Sequence, residues 1–222
     1  MTDPRQPPDW LVAVLAALTE GHDPAAPPHW RRRVDAELDR LAGRVPFPVV
    51  YDWHARVLAS VPGGDASRVG GLFRRALAGD EVGAHEWRDA LRPALRELYR
   101  AAYPYAEARA VAHANAHAYA TANGYGPDEV TEFAAHYADL STGANAEAFA
   151  DANAIANADA LAGALAGADE RAYAAAHPAA LVRAYALAAA NRSGAGAVPR
   201  VLRTAYTRLA DTLTESLRAV SE

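Results

Sequence analysis

The chain has 222 residues, a formal net charge of −5 and a mean hydropathy of −0.16, the profile of a soluble globular protein long enough to bury a large core. It contains no cysteine, and all 22 of its basic residues are arginine. Those absences exclude disulfides, thiolate nucleophiles, cysteine-held zinc or iron–sulfur sites, lysine Schiff bases and Walker-type phosphate loops. The acidic balance makes a nucleic-acid partner a poor fit. An arginine-only, alanine-rich composition fits a GC-rich bacterial genome.

Residues 1–8 read as a flexible, proline-rich tail without the basic stretch of a secretion signal. The apolar run LVAVLAAL is too short to span a bilayer, so the expectation is a cytoplasmic protein with no membrane partner. A first helix is predicted from about Asp9, with Asp9 as N-cap and Gly21 past its end. Prolines 24, 27 and 28 then turn the chain into a second helix with the stripe Trp30, Val34, Leu38 and Leu41. VPFPVV reads as a bent connector, because Pro46 and Pro48 forbid a central strand. A third helix carrying Tyr51, Trp53 and Leu58 should stop at Pro62-Gly63-Gly64. Short helices follow over 67–78 and 86–102, the second kinked or shortened by Pro93.

From residue 104 the pattern changes. Every even position from Ala106 to Ala122 and from Ala144 to Ala168 is alanine. Alternation normally signals a strand, but alanine favours helix and is depleted in strands, and the longer stretch holds one β-branched residue, Ile155. Read as a helix, the weave makes ridges of larger side chains at i, i+4 separated by shallow alanine grooves. Such a surface suits close ridge-into-groove packing, with both alanine lines covered; Ala152 and Ala154 should each sit in a tight contact. The longer stretch is predicted to be a central helix, with the shorter one as its partner. Between them Asn123-Gly124 closes one helix, and Pro127 with Asp128 and Glu129 opens another that should end near Leu140. Helices over 169–176 and 178–191, a loose loop at 193–197 and an amphipathic helix over 199–220 complete the chain.

No strand candidate survives. The prediction is one all-α domain, residues 9–222, of roughly nine to eleven helices around close-packed alanine-rich central helices. It comprises a tryptophan-anchored layer (9–103), an alanine-rich layer (104–191) and the C-terminal helix.

Three groups could carry chemistry. His113 and His117, at i and i+4, share one face of their helix, and a short turn should return Glu132 and His136 alongside them. Two or three imidazoles and a carboxylate suit a transition metal or acid/base work, although neither HExxH nor ExxH is present. The alternative is ordinary packing or surface histidines. The amides and acids Asn115, Asn153, Asn157 and Asp151 could line a ligand pocket or a buried polar network, since asparagine is a mediocre helix former. Arg88, Arg92, Arg96 and Arg100 form a ridge of like charge that needs an answer, either an external anion or acidic residues on a neighbouring helix. Arg92 and Arg96, at its centre, are the candidate anion ligands.

No motif names a cofactor or a reaction. The sequence favours an accessory or binding protein that acts on a protein partner or small-molecule ligand, with homo-oligomerisation open. The rival is a small helical enzyme of specialised metabolism using His113, His117, His136 and Glu132.

Overall fold

The structure, a computed structural model, describes residues 6–20, 22, 28–59, 66–103, 105–193 and 198–220. Among them the chain forms ten helices and no strand: α1 Asp9–Thr19, α2 His29–Arg40, α3 Pro48–Ala59, α4 Ala66–Leu77, α5 Ala84–Ala102, α6 Tyr105–Ala122, α7 Pro127–Ala166, α8 Glu170–Ala175, α9 Pro178–Arg192 and α10 Pro199–Ala219. The expected turns and loop at Gly21, Pro24, Pro27, 62–64 and 194–197, and most of the tail, lie outside the described residues.

Local chemistry sets most of the helix ends. Pro127, Pro178 and Pro199 open α7, α9 and α10, where the missing N–H of proline costs nothing. The Glu129 carboxylate accepts from the Gly126 N–H at 2.9 Å, and Asp169 caps α8 by accepting from Arg171 N and Ala172 N. Gly124, at φ 81°, closes α6 as its position after Asn123 predicted. Three expectations need correction. Asp9 is the first helical residue rather than the N-cap, a place held by Pro8. The VPFPVV connector is shorter than its prolines suggested, because Pro48 opens α3. α5 extends through Pro93 from Ala84 to Ala102, so the proline does not shorten it.

A fourth correction matters more. The helix expected to end near Leu140 continues into the alanine weave as one 40-residue α7. Leu140-Ser141-Thr142-Gly143 looks like a stop. However, the hydroxyls of Ser141 and Thr142 donate back to the carbonyls of Tyr137 and Ala138, at 2.7 and 2.5 Å. Both side chains therefore satisfy themselves inside the helix.

α7 returns antiparallel along two shorter helices in tandem. Its second half lies against α5, where Arg88 meets Asp159, Arg96 meets Asp151 and Arg100 meets Glu147. Its first half lies against α6, where Arg109 meets Asp139 at 2.6 Å. A line of residues four apart drifts about 40° per step around a helix of 3.6 residues per turn. The buried line Val130, Ala134, Ala138, Thr142, Ala150, Ala154, Ala158 and Ala162 therefore winds from the side facing α6 to the side facing α5. The second alanine line stays largely exposed, including Ala148, Ala152, Ala156 and Ala160. The expectation that both lines are covered fails at Ala152 and holds at Ala154, which is 1% exposed.

The central helix of the body is α9, not α7. It packs on α1, α5, α8 and α10 and buries Ala184, Ala186, Ala188 and Ala190 completely. Around it sits one core cluster reaching from Trp10 to Leu217, with all four tryptophans buried. Trp87 lies against Phe73 and Tyr51, and Trp10 meets Tyr173 edge-on. The Trp53 indole N–H donates to the Leu209 carbonyl at 3.2 Å, and the Tyr51 hydroxyl donates to that of Leu165 at 2.5 Å.

Candidate functional site

α6 packs on α7 and on no other helix to a comparable extent, so α6 and the first half of α7 form an arm outside the core cluster. The arm is built inside out. Among the described residues its buried ones are Ala116, Ala120, Val130, Ala134, Ala138 and Thr142, all small or medium. Its large apolar side chains face outward: Val111 is 61% exposed, Tyr119 59%, Tyr137 50% and Phe149 48%. They stand in rows because their spacing is four: Val111, Asn115 and Tyr119 on α6, and Phe133, Tyr137, Ser141, Asn145 and Phe149 on α7. Ring contacts join Tyr119 to Phe133 and Phe133 to Tyr137.

Between the rows runs a groove of about 760 Å³. Ala108, Ala112, Thr142 and Ala146 contribute its small side chains, and Tyr103 and Phe149 meet edge-on at its body end, 5.4 Å between centroids. Among the described residues lining it none carries a charge. The base of the arm is held from the body by Asn191, whose amide donates to the Ala101 and Ala102 carbonyls at the end of α5. The sequence reading missed Asn191, because nothing local marks which distant helix end an amide will cap. Its ridges of larger side chains are present, Phe149 among them, but the alternation did not mark which way each ridge faces.

The histidines lie on the other flank. Arg109 sets the register, which brings His113 level with the turn of α7 holding Ala135 and His136. The hairpin expected from Gly124-Tyr125-Gly126 is therefore present. Arg109 holds the Asp139 carboxyl below its usual range by a hydrogen bond, and His136 and His113 add to that pull. The rings of His113 and His117 are 6.4 Å apart. Among the described residues no three His, Asp or Glu side chains gather at a distance suited to a metal ion. Glu132 and His136 border only a hollow on the outer surface of α7.

The arginine ridge finds its answer inside the molecule. Glu147, Asp151 and Asp159 of α7 face Arg100, Arg96 and Arg88 at four-residue spacing on both helices. The rung opposite Arg92 falls at Ile155, so Arg92 has no acidic partner among the described residues. Of the candidate ligand residues, Arg96 and Asp151 are tied to each other. Asn153 and Asn157 donate to the carbonyls of Phe149 and Asn153, one turn back on their own helix. Asn115 lines the groove with its amide exposed.

In the body, His54 is buried and shares a 2.7 Å hydrogen bond with the Tyr173 hydroxyl. Burial pushes the imidazole down to about 4 and the phenol well up, so both are neutral near pH 7. The adjoining cavity, about 20 Å³ among Leu58, Phe73, Leu95, Leu161 and Tyr185, has room for a water molecule and nothing larger.

No family model, curated protein or solved structure matches this chain. No described helix is long and apolar enough to cross a membrane.

Proposed function

We propose that the chain is a binding protein that takes a helical segment of a protein partner along the uncharged groove of its α6–α7 arm. One observation carries the reading: the arm buries alanine and exposes tyrosine, phenylalanine and valine. Exposed apolar residues scattered singly mean little, but contiguous rows of them mark interaction surfaces. The groove extends from Tyr137 to Phe149 along α7, about 18 Å at 1.5 Å per residue, enough for roughly three turns of a bound helix. An amphipathic helix laying its apolar face into such a groove is a recurring mode of recognition. The small floor residues let the incoming backbone approach closely, while Asn115 and Asn145 offer donors and acceptors without charge.

A photo-crosslinking amino acid placed at Asn115 in the intact chain, in its native cell, tests this. The reading expects a discrete protein adduct from Asn115, lost when Phe149→Arg is added. His117, two residues on and facing the other flank, is the control position. No adduct at Asn115, or the same adducts from both positions, overturns it.

A further inference from the structure

We infer that the partner is a second copy of this chain: two arms pack face to face, antiparallel about a twofold axis, into a four-helix bundle. The inference rests on the docking role proposed for the groove. Four observations favour self-pairing over a foreign helix.

The face is self-complementary. It holds both raised rows (Val111, Tyr119, Tyr137 and Phe149) and the shallow alanine floor that such rows would enter. A twofold contact requires the same patch to supply both, because each surface meets its own copy. Asparagine adds to this, since an amide carries its own complement of donors and acceptors.

Charge points the same way. Each copy carries −5, so two copies meet best on a face with little charge, and the described residues of the groove lining have none. The arm tip, however, carries Asp128, Glu129 and Glu132, and no arginine lies between residues 110 and 170. Parallel arms would crowd six carboxylates together. Antiparallel arms separate the two tips by the length of the arm, about 30 Å at 1.5 Å per residue and beyond the screening length of ~8–10 Å.

Size is sufficient. Helices about 9 Å apart make a face about 18 Å wide, and over the whole ~30 Å of the arm, beyond the ~18 Å groove, it covers roughly 540 Å² per copy, so the pair reaches the ~1,000 Å² expected of a specific interface. The bundle also completes what the hairpin lacks, because two helices held through alanine bury too little apolar surface to be more than marginal alone.

The test uses the full-length chain. Light scattering during size exclusion at tens of micromolar should give twice the 23.5 kDa chain mass. Tyr137→Glu and Phe149→Arg should each give the single mass while keeping the helical circular dichroism and melting of a folded protein, since both side chains are half exposed. Because the chain has no cysteine, Val111→Cys, near the middle of the face, adds a lone thiol that should form a disulfide-linked dimer on mild oxidation, whereas His117→Cys should not. A monomeric parent protein, or a dimer indifferent to both charge substitutions, overturns the inference. If the parent is monomeric while Asn115 still crosslinks to another protein, self-pairing falls and the docking role stands. If neither is seen, both fall.

Discussion

The body and the arm use the same residue types in opposite ways. In the body, Trp10, Trp30, Trp53 and Trp87 are sealed within one core cluster, and arginine–carboxylate pairs decorate the outside. In the arm, alanine is sealed between two helices and the aromatic residues stand in solvent. A core maximises the apolar area removed from water, whereas the arm removes as little as a helix pair can. Folding of the chain alone explains the body; it does not explain why the arm's aromatic rows were placed outward.

The contrast predicts unequal costs for similar truncations. Trp87→Ala should destabilise by about 3–5 kcal/mol, because Tyr51 and Phe73 lose the ring they pack against. Tyr137→Ala should stay within about 0.5 kcal/mol in dilute solution, where the arm is unpartnered. Equal losses by denaturant titration would mean that the arm's aromatics contribute to folding and are not held in reserve.

Acid should attack the body first. The folded state holds the His54 imidazole down to about 4, while an unfolded chain takes up that proton near 6.5. Stability from this site is therefore complete above pH 6.5 and falls as the pH drops toward 4, by about 3 kcal/mol in all. His54→Gln should flatten that slope between pH 6.5 and 4. A parent protein whose stability is level across the window would contradict the buried, neutral imidazole.

Within α7 the comparison narrows to two neighbouring alanines. Ala154→Leu should cost about 1–3 kcal/mol by overfilling the contact with α5, and Ala152→Leu should cost next to nothing. Thermal melts of both variants decide which line is the buried one.

These alanines also show what could be read without coordinates. Composition established the helices, and the spacing of four established the ridges, because both depend on neighbours in the chain. The arginine ridge and its acidic counterpart were legible as a question and an available answer. What stayed hidden was direction: a weave with alanine on every even position has two equivalent lines, and nothing in it says which meets a neighbour. The same ambiguity concealed the outward aromatic rows, since Tyr137 and Phe149 would read alike in a core. The helix stop supposed near Leu140 failed because hydroxyl groups that break some helices can also bond within one.

The smallest expected effect has the clearest sign. Arg96→Gln removes a side chain bonded to Glu147 and Asp151 and should destabilise by about 0.5–1 kcal/mol, the upper range for exposed pairs. Arg92→Gln, one turn away, removes a cation whose rung on α7 falls at Ile155 and which repels Arg88 and Arg96, so it should stabilise by about 0.2–0.5 kcal/mol. Both differences should shrink in high salt. A loss at Arg92 would show that its guanidinium has work the rung pattern does not reveal.

Because α7 is a single rod shared by body and arm, the compass bearing of the arm's outer end, and with it the continuity of the groove, is a matter of counting. Each residue between the stretch gripped by α5 and the stretch gripped by α6 turns the arm by 100° and advances it by 1.5 Å. One residue inserted near Gly143 would turn the outer end of the arm, with Tyr137 and Ser141, past a right angle from Asn145 and Phe149, and so split the groove they line together. Seven would return that end to within about 20° of its present heading and carry it about 10 Å farther out. The orientation of whatever the arm holds is thus stored as a number of residues in one helix, a quantity that substitution leaves alone and that insertion or deletion resets.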